Sequence, residues 1–184
     1  MKKNRLGLLL ALVAFTTPAF ADDISWTYAE AYLQYVDPKA ASSDSGYHVE
    51  ASLGLPLGFH AIGRWEKAEL GSGEGDLTGS NIGLGWHLGL GDTLMGFAEV
   101  SYTDREAGIF DEDGYTVNVG VRVSPLDRWE FGGRVGYRDL EENLAGGYGE
   151  AYLLWKVFGP FGITARAELA EDANRFGVGA RFSF

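Results

Sequence analysis

Apolar and polar residues alternate with a period of two in ten segments of the chain. In the last segment Phe176, Val178 and Ala180 are apolar, while Arg175 and Arg181 are charged. Such alternation is typical of a strand with one apolar and one polar face. Each segment has about the 9 to 11 residues that a tilted strand needs to cross a membrane. The segments are residues 26–36, 47–55, 59–68, 79–88, 93–103, 114–124, 129–139, 148–157, 161–169 and 175–184.

The connections between these segments alternate in length. Residues 56–58, 89–92, 125–128 and 158–160 predict tight turns, whereas residues 37–46, 69–78, 104–113, 140–147 and 170–174 are mostly longer and more acidic or polar. Short periplasmic turns opposite longer outer loops are typical of outer-membrane barrels. The pattern therefore predicts an all-β fold, a closed antiparallel transmembrane up-and-down β-barrel of ten strands, with eight strands as the alternative.

The apolar face carries small and branched side chains in mid-strand and aromatic side chains near both strand ends. This distribution predicts a lipid-facing band between two aromatic girdles, because amphipathic rings favour membrane interfaces. A soluble sandwich would place its aromatic residues in mid-strand instead. The predicted girdles are Tyr35, Tyr47, Trp65, Tyr102, Tyr115, Tyr137 and Phe176 at the outer end, and Phe59, Trp86, Trp129, Phe131, Trp155, Phe161, Phe182 and Phe184 at the turn end.

The opposite face carries charges of both signs, and we expect it to line the lumen. A barrel of this size is narrow, so long side chains from facing walls would meet and fill it. Mixed signs favour an ion-paired plug, whereas a selective pore would favour a ring of one sign. The predicted lumen network is Glu30, Glu50, Arg64, Glu66, Glu99, Arg122, Glu130, Arg134, Arg138, Glu150, Lys156, Arg166, Glu168 and Arg181; Arg175, Asn118, His48, His60 and His87 share this face.

The chain begins with a pattern typical of a secretory signal peptide. Lys2, Lys3 and Arg5 precede an apolar run, and Ala19 and Ala21 match the small-residue cleavage site. We expect cleavage after Ala21, which divides the chain into a signal peptide, residues 1–21, and one barrel domain, residues 22–184. With 26 acidic against 15 basic residues and a net charge of −11, the chain is a poor partner for nucleic acid. It has no cysteine, which excludes disulfides and thiolate metal sites.

Catalytic and metal sites have weak signals. His48 with Glu50 resembles half of a protease site, and His60 with His87 offers two metal ligands without a third. Residues 111–114 are acidic but lack the spaced ligands of a calcium loop. We therefore predict that the protein is not an enzyme and binds no cofactor or metal.

The last residues predict an assembly signal. Phe182 and Phe184 end the final strand, and a terminal aromatic residue marks the closing strand of barrels that the barrel assembly machinery inserts. We expect these two side chains to be required for insertion into the outer membrane.

Three stretches, residues 46–50, 113–122 and 176–182, together with the export signal and the barrel pattern, resemble the small outer-membrane β-barrel superfamily. Within it, the chain is most similar to the short xanthomonad-type barrel proteins once discussed as secreted signalling factors. The resemblance implies residence in the outer membrane of a Gram-negative bacterium and supplies no catalytic residues. Many such barrels have eight strands.

The pattern and the resemblance together favour a non-enzymatic, monomeric barrel with a structural, envelope or surface-interaction role. A small low-conductance channel is the first alternative, and an adhesin that acts through its acidic loops is the second. We expect outer-membrane lipid, lipopolysaccharide and the assembly machinery as partners.

Overall fold

The computed structural model describes residues 24–39, 44–69, 76–107, 110–140 and 146–184. The predicted signal peptide, residues 1–21, lies outside the described residues. No helix among those residues is long and apolar enough to cross a membrane. The strands are β1 Tyr28–Pro38, β2 Asp44–Gly54, β3 Phe59–Glu69, β4 Asp76–Gly89, β5 Leu94–Ala107, β6 Phe110–Leu126, β7 Trp129–Leu140, β8 Gly146–Phe158, β9 Phe161–Ala170 and β10 Ala173–Ser183.

The strands form one closed antiparallel barrel. Each strand pairs with the next in sequence, and β1 pairs with β10, where Tyr28 lies opposite Ser183 and Pro38 opposite Ala173. Closure removes the unpaired sheet edges that hydrocarbon does not tolerate. The ten-strand prediction is confirmed, and the alternative of eight strands is wrong.

The two faces of each strand differ as the alternation predicts. Leu33 on β1 is 76% exposed, whereas its neighbour Gln34 is 3% exposed. Apolar side chains therefore point outwards and polar ones inwards, the reverse of a soluble protein. Exposed aromatic side chains lie near both ends of this exterior, as in Tyr35 and Tyr115 at one end and Trp86 and Phe182 at the other.

Short turns mark one end of the barrel. A 3-10 turn, Pro56–Gly58, joins β2 to β3, and there Leu57 (φ 65°) and Gly58 (φ 78°) adopt the left-handed conformation. Trp86 Nε1 donates a hydrogen bond of 3.2 Å to the Leu57 carbonyl. Because short turns face the periplasm in outer-membrane barrels, we call this the periplasmic end and the opposite one the outer end.

The hairpin of β5 and β6 corrects one predicted loop. Residues 104–113 were expected to form an outer loop, but Asp104 pairs with Asp113 and Arg105 with Glu112 across the hairpin. The Tyr102 hydroxyl donates a hydrogen bond of 2.8 Å to Asp113. Both faces of these strands are polar near the outer end, so no apolar alternation distinguishes them from a loop.

Trp26 corrects the predicted start of the first strand. Strand β1 begins at Tyr28, and Trp26 is buried, 9% exposed, with its ring stacked on His87. The preceding segment is attached to the last residue, since Phe184 N donates to the Thr27 carbonyl at 2.9 Å and Ser25 Oγ donates to the Phe184 carbonyl at 3.2 Å. Residues 24–27 therefore form a short plug at the periplasmic end.

Candidate functional site

Inward-facing side chains fill the lumen, and glycines make room for the largest of them. Tyr32 lies opposite Gly179, Tyr148 opposite Gly136, and Tyr152 opposite Gly132 on neighbouring strands. A Cβ at Gly136 or Gly132 would meet the paired ring, and a Cβ at Gly177, two residues before Gly179, would meet the Tyr32 ring. Glycines on the inward face thus accommodate aromatic rings, which pack across the strand pair.

The charged side chains of the lumen form three layers. The outer layer joins three arginines to three carboxylates: Arg105, Arg138 and Arg175, with Glu66, Glu168 and Asp172. Arg175 contacts all three acids, with nitrogen-to-oxygen distances of 3.6 Å to Glu66, 2.8 Å to Glu168 and 3.4 Å to Asp172. This layer is formally neutral.

The middle layer is also formally neutral and is drier. It joins Arg64, Arg134 and Arg166 to Glu50, Glu99 and Glu150. Arg64 bridges Glu50 at 2.8 Å and Glu99 at 2.7 Å. The Glu50 and Glu99 side chains are only 1% and 3% exposed, so each of these carboxylates depends on its partners rather than on water.

The third layer lies towards the periplasmic end and joins Arg122 and Arg181 to Glu30 and Glu130. Arg122 donates to Glu130 Oε1 through both Nε and Nη2, at 2.9 and 2.7 Å. The Tyr152 hydroxyl donates to the same oxygen at 2.7 Å. Arg166 bridges Glu30 at 2.8 Å and so connects this periplasmic layer to the middle layer.

Asp172 is the member of the network that lies outside the strands, in the turn between β9 and β10. Burial alone would raise the pKa of its carboxyl group, but the positive charges of Arg175, Arg105 and Arg138 outweigh burial. The pKa of Asp172 is therefore held well below its usual range, and the carboxylate stays charged at neutral pH.

Rings close the lumen at the periplasmic end. The Trp26 ring stacks on His87 with centroids 4.2 Å apart, and the Arg122 guanidinium lies 4.5 Å from the Trp26 ring centroid. His60 is fully buried; its Nδ1 is 3.3 Å from His87 Nδ1, and its Nε2 is 3.1 Å from Glu99 Oε1. Within the described ranges no group of three or more potential ligands is placed to hold a metal ion.

Apolar side chains narrow the outer mouth. Val36, Ala68, Leu77 and Ala173 form a buried cluster there, with Val36 2% and Ala68 1% exposed. The cluster lies at the level of the outer layer, where Val36 pairs with Arg175, and the middle and periplasmic layers lie between it and the Trp26 plug.

Two small cavities separate the layers. One of about 80 Å³ lies between the outer and middle layers, and one of about 20 Å³ lies between the middle and periplasmic layers. A water molecule needs about 10 to 15 Å³ of cavity volume, so the smaller cavity has room for about one or two waters and the larger one for several. The middle layer contributes Arg134, Arg166 and Glu150 to the walls of both.

The predicted network residues occupy different positions in this arrangement. All except Lys156 belong to the three layers, whereas Lys156 lies near the periplasmic end with its Nζ 3.4 Å from Ser124 Oγ. The predicted assembly residues Phe182 and Phe184 lie on the exterior, 44% and 63% exposed. His48 stacks on Tyr32 with ring centroids 4.6 Å apart.

Sequence reasoning missed Arg105 and Asp172, which lie in segments expected to be loops, and the lumen tyrosines Tyr28, Tyr32, Tyr148 and Tyr152. Arg105 follows Glu99, Ser101 and Thr103, which point into the lumen at every second position. Continuing this alternation beyond the predicted end of the strand would have placed Arg105 in the lumen as well. No comparable signal marks Asp172.

Comparisons with known proteins identify a fold and no closer relative. No protein-family model and no curated protein matches the sequence. Among solved structures, the chain is similar to the NanC porin, with a TM-score of 0.55 and 9% sequence identity. The match covers 85% of this chain and 100% of the NanC chain. The KdgM porin in complex with disordered oligogalacturonate has a TM-score of 0.51 at 11% identity, over 85% and 99% of the two chains.

The outer membrane protein Ail of Yersinia pestis also matches, with a TM-score of 0.46, 11% identity and coverage of 85% and 99%. The NanC and KdgM matches confirm the expected likeness to outer-membrane barrels at the level of the fold. This fold, with an apolar exterior and two aromatic girdles, suits a lipid bilayer and agrees with the expected residence in the outer membrane.

Proposed function

We propose that this protein is a closed, non-enzymatic outer-membrane barrel with a structural role in the cell envelope. The observation that carries the proposal is the lumen, which three neutral layers of ion pairs, an apolar cluster near the outer end and the Trp26 plug fill between them. A diffusion pore needs a continuous column of water, and the middle layer interrupts it between cavities of about 80 and 20 Å³.

The same ion pairs connect strands on opposite sides of the barrel. Arg105 on β5 contacts Asp172 beyond β9 at 2.9 Å, and Arg166 on β9 contacts Glu50 on β2 at 3.3 Å. These strands are not neighbours in the sheet. Such cross-lumen pairs resist flattening of the barrel, which suits a protein whose role is mechanical.

Planar-bilayer recording tests the proposal. The wild type is expected to conduct little or no current. Arg134→Ala removes a long side chain that contacts Glu150 at 2.5 Å and Glu99 at 3.6 Å, so it should conduct more and unfold more easily. Arg134→Met is the matched control: it loses the same ion pairs but keeps most of the volume, so it should lose stability without a comparable gain in conductance. A large, steady wild-type channel would overturn the proposal.

A low-conductance channel is the second candidate, and the fold favours it. The NanC and KdgM structures, with TM-scores of 0.55 and 0.51, are described as porins. In that case the wild type would conduct, and Arg134→Ala would chiefly change ion selectivity rather than open a closed lumen.

A surface role is supported by the carboxylates outside the lumen. Asp37, Glu69, Asp139 and Glu171 are exposed near the outer end. We propose that this acidic rim meets lipopolysaccharide phosphates through divalent cations, and that an adhesin role would act through the same end. Deleting outer loops should abolish surface binding and leave folding intact if the adhesin alternative is correct.

We also propose that the barrel is a monomer and that the barrel assembly machinery inserts it, as its final aromatic residues Phe182 and Phe184 suggest. Phe182→Ala with Phe184→Ala should leave export intact and reduce the amount of folded barrel in the outer membrane. The Phe182 and Phe184 rings pack edge to face on the exterior, with their centroids 5.0 Å apart. Wild-type amounts of heat-modifiable barrel in the double variant would contradict this role.

A further inference from the structure

We propose that the cavity between the outer and middle layers is a binding site for a small oxyanion, such as inorganic phosphate or a small carboxylate, taken from the external medium. The lumen layers bound this cavity on both sides, and it has a volume of about 80 Å³. In the following it is called the oxyanion chamber.

Positively charged side chains outnumber negatively charged ones in the walls of the oxyanion chamber. Of the carboxylates in the outer and middle layers, Glu66, Glu150 and Glu168 line it, whereas Glu50, Glu99 and Asp172 do not. All six arginines of these layers line it: Arg64, Arg105, Arg134, Arg138, Arg166 and Arg175. The two layers are neutral as a whole, but the walls of the chamber are positive, and a positive, poorly hydrated wall attracts an anion.

Hydrogen-bond donors are also in surplus there. Both oxygens of Glu168 already accept, from Arg175 and Arg138 at 2.8 Å each, and both oxygens of Glu66 accept, from Arg105 and Gln34 at 3.4 Å each. In contrast, Arg105 Nε and His48 Nε2 are buried and have no hydrogen-bond partner. A ligand that supplies acceptors would satisfy Arg105 Nε, and it would satisfy His48 Nε2 in the tautomer that carries the proton on that nitrogen. Guanidinium groups also match the geometry of carboxylates and phosphates.

The size and position of the chamber fit a small ligand from outside. About 80 Å³ corresponds to several waters, and phosphate has only five heavy atoms, so a small oxyanion replaces those waters without displacing side chains. Asp172 in the outer layer is 29% exposed, whereas Glu99 in the middle layer is 3% exposed. Water therefore reaches the chamber past the outer layer rather than through the middle one.

The test is a titration of the full barrel in dodecyl maltoside micelles, which contain no phosphate of their own. Inorganic phosphate is compared with chloride at equal ionic strength, and the thermal unfolding midpoint and the heat of binding are measured. Saturable stabilisation by phosphate that chloride does not reproduce is expected. Acetate is the probe for the carboxylate form of the ligand. If neither phosphate nor acetate differs from chloride, the proposal is overturned.

His48→Phe locates the site. It keeps a ring stacked on Tyr32 but removes the unpartnered Nε2, so phosphate affinity should fall about tenfold while the fold is retained. His87→Phe is the matched control, because His87 also stacks on an aromatic ring, Trp26, but is not part of the chamber wall. Equal weakening by the two variants, or none by His48→Phe, would overturn the assignment.

Arg105→Lys provides an independent check. It keeps the positive charge that faces Asp172 but lacks the unpartnered Nε, and weaker phosphate binding is again expected. Unchanged affinity in Arg105→Lys would likewise contradict the site. These experiments measure binding and not ion current. An absence of phosphate binding would therefore overturn the oxyanion site and leave the closed-barrel proposal unaffected.

Discussion

The outward and inward faces of the same strands follow opposite rules. On the outward face, Leu33, Val119 and Val178 are 76%, 54% and 62% exposed and need only be apolar to suit lipid. On the inward face, Glu30 is 2% exposed and is held by Arg166 at 2.8 Å and Arg181 at 2.5 Å. The exterior therefore depends on composition and the lumen on pairing, and four sets of substitutions test this contrast.

The largest effect is expected in the lumen, at Arg166. This side chain contacts Glu30 at 2.8 Å, Glu50 at 3.3 Å and Glu150 at 2.9 Å. Arg166→Met keeps the volume but leaves buried carboxylates with fewer partners, so the free energy of unfolding should fall by about 3 to 5 kcal/mol. Urea titration in lipid vesicles measures it.

Arg138→Met is the control, because it removes an arginine from the more exposed outer layer instead of the middle layer. Arg138 is 15% exposed, and its partners Glu168 and Asp172 are 12% and 29% exposed, so water compensates part of the loss. Losses of equal size at Arg138 and Arg166 would mean that the layers do not differ in hydration.

The exterior is tested by a charge at two depths on one strand. Val119 lies in the middle of β6, and Val119→Arg should cost about 2 to 4 kcal/mol, because hydrocarbon does not solvate the guanidinium. Val123 lies on the same face near the periplasmic turn, where it pairs with Phe131, and Val123→Arg should cost about 1 kcal/mol or less. If the two variants lose the same free energy of unfolding in lipid vesicles, Val119 does not lie deeper in the hydrocarbon than Val123.

Two glycines compare the faces directly. A Cβ at Gly132 would meet the Tyr152 ring in the lumen, whereas nothing lies within 4 Å of a Cβ at Gly149 on the exterior. Gly132→Val should therefore destabilise the barrel by about 1 to 3 kcal/mol through overpacking. Gly149→Val should stay within about 0.5 kcal/mol of the wild type. The reverse order would mean that the assignment of inward and outward glycines on β7 and β8 is wrong.

The smallest effect is expected at the outer rim, from Asp172. Because its pKa is lower in the folded than in the unfolded protein, its charge stabilises the fold above the unfolded pKa of about 4, and this contribution is lost as the pH falls through the folded pKa. At 29% exposure, we expect Asp172→Asn to cost no more than about 1 kcal/mol at pH 7. Unfolding of both proteins between pH 7 and 3 should show this difference shrinking with acid. A constant difference would exclude the charge as its cause.

Alternation alone was sufficient to predict the strands, their number and their faces. The ten segments, the girdle residues such as Tyr35 and Trp86, and the inward position of Glu50 all follow from counting by two. Alternation predicts no strand where it carries no contrast. Residues 104–106 and 111–113 are polar on both faces, so Arg105 was taken for a loop residue. Alternation also failed at Trp26, because nothing local shows that an aromatic residue before a strand turns into the lumen.

The sequence by itself determined a transmembrane barrel with a charged interior, because the period of a strand is a local property that each segment expresses without its neighbours. Only the tertiary structure decided the partners. Closure brings β1 beside β10 and places Arg181 at 2.5 Å from Glu30, and Arg166 meets Glu50 across the lumen, although 151 and 116 residues separate these pairs along the chain. Such contacts depend on how the closed sheet staggers its strands, and no single strand contains that information.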